Sequence, residues 1–92
     1  MIRNISIGID VGSATTRVVV GEFLKGEKNP KIIGEGISET QGLRHGYVVD
    51  AASAIISIKN AVANAEKSSG IKIKRAFVSI GGMSLRGEWS SG

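Results

Sequence analysis

The sequence predicts an α/β fold in which one helix covers a mixed β-sheet, in the order βββαβ. Three observations carry this. Ile5, Ile7 and Ile9 alternate with Asn4, Ser6 and Gly8, the period-two pattern of a half-buried strand. Apolar residues between Ala51 and Ala65 recur at helical spacing behind Asp50, a good N-cap. An apolar run, Arg75 to Ile80, follows that helix and reads as a further strand.

The elements follow in order. Strand one covers Asn4 to Asp10, and strand two covers Thr15 to Phe23, rich in β-branched residues that suit a pleated surface. Val18 and Val20 face one side and Val19 the other, so the continuous apolarity predicts burial on both faces and a central place in the sheet. Leu24 to Pro30 reads as a turn with Gly26, Asn29 and the single proline. Strand three spans Lys31 to Glu39, with Ile33 and Ile37 on one face and Ile32 on the other. Gly34 and Gly36 within it predict a bulge or a close backbone contact. Short turns between these three strands make an antiparallel meander.

Thr40 to Val49 reads as a loop with two glycines. The helix after Asp50 presents the stripe Ala51, Ile55, Ile58, Val62 and Ala65, flanked by Ala54 and Ala61. Ser57, Lys59, Asn60, Asn64 and Lys67 take the other side. Gly70, after Ser68-Ser69, supplies a left-handed stop. A helix placed before strand four permits a crossover and a parallel final pairing. Gly81-Gly82 ends that strand, and Met83 to Gly92 shows no clear period.

The chemistry concentrates in Ile5 to Phe23. Asp10 ends the first strand, and Val11-Gly12-Ser13-Ala14 forms the turn into the second. Gly12 can adopt positive φ there, while Ser13, Thr15 and Thr16 are small and leave backbone N–H groups accessible. Consecutive N–H groups in a turn make an anion-binding concavity. An ionised aspartate accepts only, and Mg²⁺ prefers oxygen ligands while keeping much of its water. The pattern therefore points to a phosphate-binding hairpin, Gly12 to Thr16, with Asp10 placed for a hydrated metal ion. Asp and Gly also populate turns for local reasons, so these residues alone leave a plain hairpin open. Arg17 stands beside the turn and serves either a phosphate or an ion pair. There is no GxxxxGK[ST] loop, and no GxGxxG opens a helix.

Composition bounds the rest. A chain of 92 residues fits one small domain or part of a larger one. Hydrophobic residues at 41% exclude global disorder, and aromatics at 4% require an aliphatic core. The absence of cysteine removes disulfides and thiolate metal sites and is compatible with a reducing cytoplasm. No signal peptide is read at Met1 to Asn4, and no run reaches the roughly 20 apolar residues of a membrane helix. Net charge is +4, and the groups Lys72, Lys74, Arg75 and Lys25, Lys28, Lys31 lack interleaved aromatics. They read as solvated faces, not as a nucleic-acid interface. His45, the one histidine, has no second ligand near it in sequence and reads as a surface residue.

Taken together, the βββαβ order and the DVGS turn resemble the opening half of a ribonuclease-H-like domain of the actin, heat-shock chaperone and sugar-kinase superfamily. A second block, Gly42 to Gly82, is similar to the bacterial cell-division FtsA family, in which a GxxxGxVxD stretch precedes the helix and an IK-x-x-x-VxIxG strand follows it. The pilus-assembly PilM relatives show a looser version.

The resemblance implies an actin-like ATP-binding protein using Mg²⁺, forming filaments at the inner, cytoplasmic face of the cell membrane and recruiting the tubulin-like division protein. It assigns Asp10 to the metal and Gly12, Ser13, Ala14, Thr15, Thr16 and Arg17 to phosphate. Residues 1–82 would form the first half of the nucleotide-binding domain and residues 83–92 an exit segment toward an insertion. The second phosphate motif, the adenosine-binding glycines and the other lobe are absent, so an N-terminal fragment is expected, with no hydrolysis by this chain alone. A pilus-assembly PilM-like or sugar-kinase-like relative and an interaction module with a vestigial nucleotide site are the alternatives. One helix covers one sheet face, so the other face and one edge are expected to be apolar and to drive self-association or pairing with a complementing chain.

Overall fold

The computed structural model describes residues 4–45, 47–80 and, as backbone, 83–90. The strands are β1 (Ile5–Val11), β2 (Thr15–Glu22), β3 (Lys31–Glu39), β4 (Leu43–Arg44), β5 (Tyr47–Val48), β6 (Arg75–Ile80) and β7 (Met83–Ser90), with one helix, α1 (Ala51–Ser69). The main sheet has the order β3-β2-β1-β6-β7, and β4 and β5 form a separate two-stranded ribbon. β1 pairs antiparallel with β2 and parallel with β6, so the sheet is mixed. The βββαβ order is therefore present, with two additions.

The first addition is β7, which pairs antiparallel with β6 across residues that read as irregular in the sequence. The signal existed. Met83, Leu85 and Trp89 alternate with Ser84, Arg86, Glu88 and Ser90, and a Gly-Gly dipeptide separating two such runs is a hairpin signature. Gly87 interrupts the alternation and obscured it. The second addition is the β4–β5 ribbon inside the expected loop Thr40 to Val49. Its base is Gly42, whose carbonyl accepts from the amides of Val49 (2.8 Å) and Asp50 (3.1 Å). Gly42 has φ +79°, and a Cβ there would fall on the Asp50 carbonyl, so only glycine fits the neck of this loop.

The core lies between α1 and the sheet. Ile7, Ile9 and Val11 of β1 and Val18 and Val20 of β2 point toward the helix and are buried with Ile58, Ala61, Val62, Ala65, Ile73 and Ala76. β2 is an inner strand as expected, but only one face is buried: Val19 is half-exposed. The opposite face is more polar than expected. Ser6, Gly8, Asp10, Arg17 and Glu35 are exposed there, with Ile32, Ile37 and Phe77 as its exposed large apolar side chains.

The helix is rotated from the stripe read in the sequence. Its buried face is Ala54, Ser57, Ile58, Ala61, Val62 and Ala65, whereas Ala51 and Ile55 are exposed. Ser57 is buried because its hydroxyl donates to the Ser53 carbonyl (3.1 Å) and accepts the Gln41 amide (2.8 Å), tying the incoming loop to the helix. A serine so satisfied packs like a small apolar residue.

Both glycines of β3 answer to close contact. A Cβ on Gly34 would collide with Ser69, and one on Gly36 with the Ala61 carbonyl and Ala65. α1 rests almost directly on the β3 backbone. A bulge occurs too: Val20 pairs with Gly34 and Gly21 with Ile32, leaving Ile33 without a partner. The bulge breaks the alternation, so Ile33 packs against the core while Ile37 is exposed, and the two do not share a face. Gly70 closes α1 with φ 74° and its amide on the Glu66 carbonyl at 2.9 Å. The Glu66 carboxylate then accepts the Ile73 amide at 2.7 Å, which fixes the approach to β6.

Two outcomes are expected. Gly36→Ala lowers unfolding free energy by about 1–3 kcal/mol through overpacking. Gly8→Ala, with nothing within 4 Å of its Cβ, stays within about 0.5 kcal/mol; urea unfolding compares them. Asp50 caps α1 by accepting from the Ser53 hydroxyl (2.8 Å) and amide (3.3 Å), and these bonds hold its carboxyl below the ordinary range. A depressed folded-state pKa stabilises above the unfolded-state value and loses that contribution as pH falls through the lowered one. Asp50→Ala therefore lowers the thermal midpoint at neutral pH, and its gap to the native protein narrows as pH falls below about 3.9.

Candidate functional site

β1 and β6 run parallel, so their carboxyl ends lie at one end of the sheet, where ligands of open α/β sheets bind. The bend from β1 to β2 sits there. β1 continues through Val11, so Asp10 is its penultimate residue, not its last. Val11 is fully buried and anchors the strand, while Asp10, one residue earlier, points to the open face.

The pairing register gives Asp10 two neighbours. Arg17 of β2 lies directly opposite on one side, and Ser79 of β6 on the other. The Ser79 hydroxyl donates to Asp10 Oδ1 at 3.4 Å. The bend itself is closed by the Gly12 amide, which donates to the Thr15 carbonyl at 3.0 Å. Gly12 does not take the positive φ expected of it; a Cβ there would stand 3.0 Å from that same oxygen, so glycine serves a close backbone approach and not a left-handed turn. Ser13, Ala14 and Thr15 are exposed. Three small exposed residues beyond a closed bend leave backbone accessible to an anion.

Thr16 and Arg17 differ from the rest of the bend. Thr16 is fully buried, and its hydroxyl bonds the Thr40 hydroxyl at 2.8 Å. The Thr40 amide donates in turn to the Ala14 carbonyl at 2.9 Å. Thr40 thereby holds the bend from behind, and the side chain of Thr16 belongs to that anchor. Arg17 turns its guanidinium to Glu35 of β3, with Nε 3.8 Å from Oε1. Both side chains are about half exposed (55% and 42%). A pair so solvated contributes no more than about 1 kcal/mol and leaves Arg17 free to re-aim.

The structure thus brings Asp10 together with the Gly12–Thr15 bend, turns Thr16 inward and aims Arg17 sideways. Nothing in the sequence pattern marks Ser79 or Thr40 as site residues. Each is an ordinary hydroxyl in its own segment, and only strand pairing 69 residues away puts Ser79 beside Asp10. His45 is exposed with φ 51° in the β4–β5 ribbon, and Lys72 and Lys74 are exposed at the far end of β6.

A mixed sheet of this order with one covering helix and an aspartate before a glycine bend defines the class: half of a ribonuclease-H-like α/β domain. No family model matches the chain. It is 39% identical over 74 residues to the cell division protein FtsA of Enterococcus faecalis, covering 80% of this chain and 16% of that protein. It is 35% identical over 85 residues to FtsA of Streptococcus pneumoniae (92% of this chain, 18% of the relative). FtsA of Borreliella burgdorferi is 36% identical over all 92 residues, 22% of its own length. The chain belongs to the FtsA family of cell-division proteins. It spans about a sixth to a fifth of the length of the curated relatives it matches.

The Thr16–Thr40 contact has a testable consequence. Thr16→Val keeps the shape but leaves the Thr40 hydroxyl without its partner, and lowers stability by about 0.5–1.5 kcal/mol in denaturant unfolding.

Proposed function

We propose that this segment supplies one wall of an ATP–Mg²⁺ site in an actin-like cell-division protein. The observation that supports the reading most is the exposed Asp10 carboxylate at the carboxyl end of β1, beside an exposed bend closed by the Gly12 amide. Mg²⁺ is commonly held by one or two carboxylates, several waters and the phosphates themselves. A single carboxylate with exposed backbone next to it suits that demand better than a closed protein cage would. Asp10 would hold the hydrated ion, Ser79 would orient the carboxylate, and the amides of Ser13 to Thr15 would meet phosphate oxygens. Arg17 can leave its weak pairing with Glu35 to add positive charge. When bound, the metal neutralises phosphate charge.

The adenosine contacts and the opposing wall are assigned to the remaining length that the relatives carry. Filament formation, work at the inner face of the membrane and recruitment of a tubulin-like partner are proposed for the complete protein. No helix among the described residues is long and apolar enough to cross a membrane.

In the full-length protein, Asp10→Ala weakens Mg²⁺-dependent ATP binding about tenfold or more, about 1.4 kcal/mol, by calorimetric titration. Thermal melting in parallel confirms that the fold persists. Unchanged affinity in a folded variant rejects the nucleotide site and favours an interaction module.

A further inference from the structure

The outer edge of β3 is occupied at two backbone groups. β3 is the terminal strand of the sheet on the β2 side, and its backbone groups that face away from β2 are the natural template for an added strand. The Glu35 amide donates to the Ser68 hydroxyl at 3.2 Å. The Ile37 carbonyl accepts from Asn64 Nδ2 at 3.0 Å. Both partners come from α1, four residues apart.

The spacing explains why the helix can do this. Four helical residues rise about 6 Å. Two strand residues advance about 6.8 Å. Asn64 and Ser68 therefore meet Ile37 and Glu35 with little mismatch, provided the helix runs antiparallel to β3 and lies almost on its backbone. The glycine contacts supply that closeness: Gly36 beneath Ala61 and Ala65, Gly34 beneath Ser69. The order of contacts along both elements is the antiparallel one.

We propose that Asn64 and Ser68 form an edge lock, in which α1 fills two strand-addition positions of β3 and keeps this edge from pairing with the β3 edge of a second copy. The lock lies on the opposite flank of β2 from Asp10 and stands independently of the nucleotide reading. An open edge strand offers a residue's N–H and C=O together to an antiparallel partner. With the Glu35 N–H and the Ile37 C=O taken, neither residue can form the paired bonds that a neighbouring strand requires. Displacement of α1 by a fraction of a turn frees both.

The test uses the full-length protein without nucleotide. Asn64→Ala with Ser68→Ala is compared with Lys59→Ala and Asn60→Ala on the same helix. The lock predicts that the Glu35 amide exchanges with solvent about tenfold faster in the first pair and not in the second. Sedimentation shows self-association tightened by about tenfold in the first pair alone, and adding Glu35→Pro, which removes the donor, abolishes the gain. Equal exchange and equal association in the two pairs overturn the proposal, as does association that survives Glu35→Pro. Should the first pair lose helix content, Asn64→Asp alone, which sets a carboxylate against the Ile37 carbonyl, must give the same association or the lock is rejected.

Discussion

The fold depends on the contact between α1 and the backbone of β3. Gly34 and Gly36 are bare where Ala61, Ala65 and Ser69 cross them. With side chains there, the helix would stand off the sheet by the depth of a methyl group or more, and the small alanines beneath it would no longer reach the valines of β2. Few aromatic side chains are available to fill such a gap. An aliphatic core this thin gains its stability from close packing, so the separation of the two layers decides how well Val18, Val20, Ile58 and Val62 interdigitate.

The same contact positions the carboxylate. A helix seated firmly across β3 and β2 delivers the chain at Gly70 and Ile73 to the far side of β1. There β6 can only join as a parallel neighbour, and its register sets Ser79 beside Asp10. Ahead of the helix, the loop through Gln41 and Thr40 is tied to Ser57 and to the Ala14 carbonyl, so the bend is braced from the layer below. The bend's exposed backbone is thus mounted on paired strands, as the site proposed for it would require for its groups to hold position.

Membership in the FtsA family gives these features a setting. The GxxxGxVxD stretch that marks the resemblance has a mechanical explanation in this chain: Gly42 is the neck of a ribbon and Asp50 is the cap of the helix that follows. These residues shape the junction between sheet and helix. Gly42 and Asp50 thus serve the fold, while the candidate site is proposed on other residues, Asp10 and the bend at Gly12.

The sequence by itself determined the five elements of the βββαβ order, the helix ends at Asp50 and Gly70, and the aspartate and glycine of the bend, but not β7 or the β4–β5 ribbon. Each of these depends on neighbours a few residues away: alternation, capping, and a left-handed stop at Gly70. Tertiary structure decided what local pattern could not. The rotation of α1, which exposes Ile55, buries Ser57 where its hydroxyl accepts the Gln41 amide from the incoming loop. The inward turn of Thr16, the sideways aim of Arg17 and the pairing of Asp10 with Ser79 all come from strands brought together over long separations. Hydrogen bonds between distant segments leave no periodicity in a sequence, and they fixed which hydroxyls face the site and which hold it in place.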